Sequence, residues 1–171
     1  METFTNDALD ISTLPKYETI ALNALDSKYW NVLLITVTIF FLIFAAMLVL
    51  AVIYIENLMQ YQGYIWMSYA LLWLTVLFFT RISFNKKAFA FRQHDVIFRN
   101  GIVATTTMII PYNRVQHVAL HEGFIEQFFG LATVQIFTAG GTESDLGIPG
   151  IDKSQAEDIK QLLMGKIQKQ L

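Results

Sequence analysis

The chain has 171 residues, 54% of them hydrophobic and 15% charged, with a mean hydropathy of +0.45. That is too apolar for an ordinary soluble domain and makes a membrane protein the leading class. A formal net charge of -2 excludes the global basic field of a non-specific nucleic-acid binder, and the absence of cysteine excludes disulfides, thiolate nucleophiles and zinc-thiolate sites.

Residues 1–31 form a mildly acidic N-terminal segment, interrupted by Pro15, with Lys16 as the cation preceding Lys28. It has neither the basic start nor the small-residue cleavage site of a secretory signal, so the apolar run that follows is expected to be retained. That run, residues 32–55, is about 24 residues without a charge and about 36 Å long as a helix, enough to cross a ~30 Å hydrocarbon core with some tilt. Glu56 ends it, because a carboxylate at mid-bilayer costs about 2.5–3.5 kcal/mol.

A short polar connection, 56–63, leads to a second run at 64–80, roughly 17 residues and near the lower limit for a span. Trp30, Tyr54, Tyr61, Tyr64 and Trp66 lie around the expected ends, where amphipathic rings favour the headgroup region. The two runs predict an antiparallel transmembrane hairpin over 32–80. The connection lacks Lys and Arg, whereas Lys28 precedes the first span and Arg81, Lys86, Lys87 and Arg92 follow the second. Positive-inside bias then places both termini in the cytoplasm.

Beyond Arg81 the pattern changes. Segments 88–92, 95–98, 102–110, 114–121 and 133–138 are short, rich in β-branched and aromatic residues, and read as strands. Asn100-Gly101 is a hairpin signal because both residues tolerate positive φ, and Gly140-Gly141 supplies a second turn. Ser154-Gln155-Ala156-Glu157 reads as a capping box. Ala156, Ile159, Leu163 and Ile167 then recur at helical spacing, with Leu162 widening the stripe, so a terminal helix is expected to pack on the sheet. Residues 81–171 thus form the domain expected after the hairpin.

Several runs carry a resemblance. Ile110-Pro111-Tyr112-Asn113-Arg114-Val115-Gln116-His117-Val118 resembles the I-P-x-x-R-I/V-Q-x-V signature of bacterial pleckstrin-homology-like (PH-like), membrane-flanked domain proteins, the YdbS-like group. The stretch from Gly123 to Ala132 is similar to that family's G-x-[LI]-x-x-x-x-G-L-A segment, and Thr138-Ala139-Gly140-Gly141 to its T-A-G-G turn. Ile148-Pro149-Gly150-Ile151 looks like the family's lead into the terminal helix, and Leu14-Pro15-Lys16-Tyr17 suits the same architecture. The resemblance implies an α+β membrane protein: a two-helix transmembrane hairpin, then a PH-like small β-barrel or sandwich closed by a C-terminal helix. It also implies a hetero-complex, since similar proteins are often encoded beside a larger relative with several copies of the domain. It brings no catalytic residue.

Chemistry-bearing clusters are sparse. His117 and His121, followed by Glu122, have helical zinc-site spacing, but on a strand positions four apart lie about 13 Å from one another, too far to share an ion. Ser144 sits in a turn-like stretch without a nucleophile elbow, and Glu143 with Asp145 reads as a solvated tip. No catalytic, metal or cofactor site is assigned. The basic group Arg81, Lys86, Lys87 and Arg92 at the membrane exit provides candidate lipid-surface contacts, although positive-inside topology alone explains it. Phe124, Ile125, Phe128 and Phe129 are expected to pack in the core. If Phe124 and Phe128 are exposed instead, they join Arg114 and Gln116 as candidate partner contacts.

The function expected is that of a non-enzymatic, membrane-anchored interaction or scaffold protein at the bacterial inner membrane. Its partners are the lipid bilayer and a membrane protein carrying related PH-like domains, or a second copy, and not nucleic acid. An accessory subunit of a transport or export system, and a lipid-acting membrane enzyme, are the alternatives. The first would call for charged residues within the spans, which have none.

Overall fold

The computed structural model describes residues 17–138 and 146–168. The turn expected at Gly140-Gly141, the acidic tip of Glu143, Ser144 and Asp145, and the Leu14-Pro15-Lys16 motif lie outside the described residues.

Two helices, α1 (Lys28–Tyr54) and α2 (Gln62–Lys86), are joined by a 3-10 stretch, Glu56–Tyr61. Both are long and apolar enough to cross a membrane, with 27 and 25 residues. They run antiparallel: Trp30 meets Phe84 with ring centroids 6.1 Å apart, Phe41 meets Tyr69 at 5.7 Å, and the Tyr69 hydroxyl donates to the Phe41 carbonyl at 2.8 Å. The second helix is longer than the run 64–80 because Arg81 does not end it. Its guanidinium lies 4.7 Å from the Trp30 ring centroid and 5.4 Å from that of Phe84. A cation near a helix C-terminus is favourable, and the aromatic faces support it.

The rest is a pair of antiparallel sheets. The first has the order β1 (Asn23–Ala24), β2 (Ala88–Phe91), β3 (Asp95–Gly101), β4 (Thr105–Pro111). The second is β5 (Val115–His121), β6 (Leu131–Thr138), β7 (Leu146–Asp152). A five-residue helix, α3 (Phe124–Phe128), joins β5 to β6. The helix α4 (Lys153–Gln168) packs on all three strands of the second sheet through buried Ala156 and Leu163. The sheets do not close into a barrel, and among the described strands β4 pairs only with β3. Phe89, Val96 and Phe98 face Val118, Leu131, Val134, Ile136 and Ile148 in the shared core.

The hairpin is inserted into this domain rather than set before it. β1, upstream of α1, pairs with β2 downstream of α2, and Leu25, Tyr29 and Val32 belong to the core cluster. The folded unit therefore reaches beyond the expected 81–171 and draws on the 1–31 segment. Two residues are too few for a periodic signal, which is why β1 is silent in the sequence.

Two local features differ from expectation, and a third gains a structure the sequence did not specify. Asn100-Gly101 is not a two-residue turn: β3 runs through Gly101, which pairs with Thr105, and residues 102–104 form the loop. Only Gly101 takes positive φ, +139°, and a Cβ there would lie 1.9 Å from the Ala104 carbonyl oxygen. Ile148-Pro149-Gly150-Ile151 does lead into the terminal helix, and it does so as part of strand β7, which bulges between Ile148 and Ile151. Proline is tolerated there because β7 is an edge strand. Finally, Ser154 does not cap the terminal helix. Its amide and hydroxyl both donate to the Asp152 carboxylate, at 3.1 and 2.7 Å, so Asp152 occupies the capping role and the helix begins at Lys153.

The bulge fixes the hairpin. Gly150, at φ +65°, presents its carbonyl to the Asp26 amide at 2.9 Å, and a Cβ on it would sit 2.5 Å from Tyr29 Cγ. Gly150→Ala is expected to cost on the order of 2–4 kcal/mol, from the left-handed backbone and overpacking together. Thermal unfolding in detergent checks this, and an unchanged melting temperature would contradict it. Hydrogen bonds from Ser154 hold the Asp152 carboxyl below the usual carboxylate range. Its stabilising contribution is thus present above the unfolded value of about 4 and lost as pH falls through the lower folded value. The melting-temperature gap between wild type and Asp152→Ala is expected to be widest near neutrality and to narrow in acid.

Candidate functional site

β4 leaves the first sheet at Pro111, and a single 3-10 turn, Tyr112–Arg114, carries the chain to β5. Tyr112 makes this corner rigid. Its ring is buried, its amide donates to the His94 carbonyl at 3.0 Å, and its hydroxyl donates to the Arg92 carbonyl at 2.7 Å. Burial, reinforced by the nearby Asp95 carboxylate, pushes the phenol up to about 12, so it remains a neutral donor at any physiological pH. Arg92 and Asp95 form a two-pronged ion pair across the turn that Tyr112 grips.

Because β4 and β5 do not pair, the corner opens into a groove of about 460 Å³ lined by Met108, Ile109, Ile110, Pro111, Arg114 and Thr138. Ile109 is 41% exposed on the outer edge strand, and Arg114 is the one charged side chain among these lining residues. Next to it, Val115 pairs with Thr138 but His117 pairs with Phe137, so Gln116 is the extra residue of a bulge and faces solvent. Bulges of this kind re-aim side chains at sheet edges. The arrangement offers apolar surface, an unpaired strand edge and a guanidinium. That combination suits an extended segment bearing a carboxylate.

The expected site residues fall into separate places. Arg114 lines the groove, and Gln116 follows it two residues on, at the bulge of β5. Phe124 and Phe128 do not join them: they lie on α3, beyond the far end of β5, and both rings are exposed rather than packed in the core. Only Ile125 and Phe129 of that cluster pack inward. Of the basic group, Arg81 and Lys86 lie on the last turns of α2, Lys86 donating to the Ile102 carbonyl at 2.6 Å. Lys87 is half-buried at the helix end, where desolvation lowers its pKa. Arg92 is set apart from these three by the length of β2 and is engaged by Asp95. His117 stacks on Phe137 with centroids 4.2 Å apart, and His121 lies opposite Thr133.

Sequence reasoning did not single out Met108, Ile109 and Ile110 as a surface. A signal was present, since three consecutive apolar residues ending on proline break the alternation of a half-buried strand and mark an edge. Glu126 was also missed. It is 7% exposed, accepting from the Gly123 amide at 2.9 Å and the Thr133 hydroxyl at 3.2 Å, and this reach back across one turn orients α3.

Comparison with known proteins agrees with this architecture. The UPF0699 transmembrane protein YdbS of Bacillus subtilis (strain 168) is 29% identical over 98 residues, 57% of this chain and 58% of that protein, so the likeness spans little more than half of the relative's length. No solved structure matches. The family described as "Bacterial PH domain" matches residues 20–167, which takes in β1, both apolar helices, both sheets and nearly all of α4. The chain is a bacterial membrane protein and belongs to the bacterial PH domain family.

Proposed function

We propose that this protein is a non-enzymatic interaction module that the hairpin holds at the cytoplasmic face of the bacterial inner membrane, and that the groove between β4 and β5 is its protein-docking surface. The observation carrying this reading is the conjunction of β4, whose outer edge pairs with no other described strand, with the apolar groove beside it and Arg114 in its lining. The cytoplasmic placement rests on the basic residues Arg81, Lys86 and Lys87 at the exit of α2, against a distal connection without Lys or Arg.

The groove lies on the side of the domain remote from the hairpin. β4 starts at Thr105, near the loop that Lys86 touches, and reaches Pro111 about 20 Å further on. A partner segment there is in water, where main-chain bonds to an unpaired edge supply affinity and the Ile109–Pro111 surface supplies selectivity. A second membrane-anchored protein fits best, one carrying related PH-like domains or another copy of this chain, because co-tethering raises the effective concentration to about the millimolar range. A shallow interface then suffices.

The test is a photocrosslinking amino acid in place of Ile109 in the full chain in native membranes, with mass spectrometry of the product. A discrete protein adduct is expected, and Arg114→Glu is expected to reduce its yield several-fold. Correct membrane insertion without any protein adduct from Ile109 would overturn the proposal.

A further inference from the structure

α3 carries two aromatic rings that the rest of the described protein leaves uncovered. Phe124 is 79% exposed and Phe128 76%, and their rings meet edge to face with centroids 5.2 Å apart. This orientation is imposed from inside. Residues four apart share one side of a helix, so once Ile125 and Phe129 pack on the core and Glu126 bonds back to the Gly123 amide, Phe124 and Phe128 point outward.

The height of these rings is set by α1. Phe124 lines a crevice with Tyr29, Val32, Leu33 and Thr36 of that helix. Thr36 is six residues beyond Trp30, or about 9 Å along the axis, in the direction of the apolar centre. Trp30 lies beneath the Arg81 guanidinium, an aromatic and a cation that belong at headgroup level. The crevice that Phe124 lines therefore runs from the level of that charge toward the hydrocarbon, with three of its four α1 residues beyond Trp30. A second apolar projection flanks the other helix: the β3–β4 loop carries Ile102 and Val103, the latter 93% exposed, and Lys86 holds the Ile102 carbonyl. Lys86 is five residues past Arg81, so this tip sits nearer the water.

We propose that α3 is an interfacial wedge whose Phe124 and Phe128 rings are immersed in the acyl chains of the leaflet next to the domain, with the Ile102–Val103 tip as a shallower second contact. The occupant is lipid because the exposed face of α3 is continuous with the surface of a helix that itself faces lipid. The proposal rests on the chain spanning the membrane, and the experiment separates the two.

The protein has no cysteine, so single cysteines placed at Phe124, Phe128 or Val103 accept a nitroxide label without background. Leu42→Cys reports the centre of the first span and Glu157→Cys the exposed side of α4. The labelled full-length protein is reconstituted in vesicles of phosphatidylcholine and phosphatidylglycerol, and collision rates with oxygen and with a water-soluble nickel chelate are measured. The expected oxygen-to-nickel ratio at 124 and 128 is several-fold above that at 157 and approaches that at 42, with 103 intermediate. Nickel collisions at 124 and 128 equal to those at 157 would overturn the wedge. Suppression of both reagents there would also overturn it, by showing a protein cover. Nickel access at position 42 would instead show that the hairpin does not span, and the wedge would fall with it.

Discussion

Gly150 approaches the Tyr29 ring closely because it has no side chain, and this contact fuses the membrane hairpin to the β-domain. A hairpin joined to a domain by a flexible linker would leave the domain free to tumble above the lipid. Here the Asp26 amide bonds to Gly150, β1 pairs with β2, and Leu25, Tyr29 and Val32 are core residues. Unseating the hairpin would open the core. The orientation of every other surface relative to the hairpin follows from that constraint.

Two ends result. The end near the hairpin carries α3, the 102–104 loop and the basic residues Arg81, Lys86 and Lys87. The other carries the Tyr112 corner and the groove, and Lys166 of α4 reaches the turn there, donating to the Gln93 carbonyl at 3.1 Å. Moving each exposed phenylalanine into an apolar phase is worth about 1.5–3 kcal/mol. That is small beside two spans, so a lipid wedge sets tilt and rotation rather than attachment. Fixed tilt and rotation in turn give the groove a constant height and direction.

The hairpin was legible because hydropathy is a one-dimensional property, and a run of about 20 apolar residues needs no partner to be recognised. Its true length was not, because Arg81 reads as a boundary until its guanidinium is seen resting on Trp30. The strands at 88–92 and 114–121 follow from aromatic or β-branched residues in short segments bounded by turn chemistry. β7 was hidden, since Pro149 and Gly150 look like loop residues and become strand residues only through a bulge that serves Tyr29. The aromatic cluster shows the same limit more sharply. A five-residue helix is too short to carry a hydrophobic period, so periodicity does not say which of its three apolar side chains, or Phe129 just after them, face inward. That choice is made by Glu126, which bonds locally to the Gly123 amide and is held from β6 by Thr133, and by the packing of Ile125 and Phe129 on the core, which is tertiary information.

The groove depends on a feature that a closed barrel would erase. Had β4 paired with β5, the edge would be satisfied and the surface from Met108 to Pro111 would be covered. The Gln116 bulge and the 3-10 turn at Tyr112–Arg114 divert the chain before such pairing begins. An unpaired edge is ordinarily an aggregation hazard. Anchoring biases which edges meet it, because a strand tethered to the same surface is present at a higher effective concentration than one that diffuses freely. Under the docking proposal, the open edge would then draw selectivity from the anchor as well as from the side chains around it.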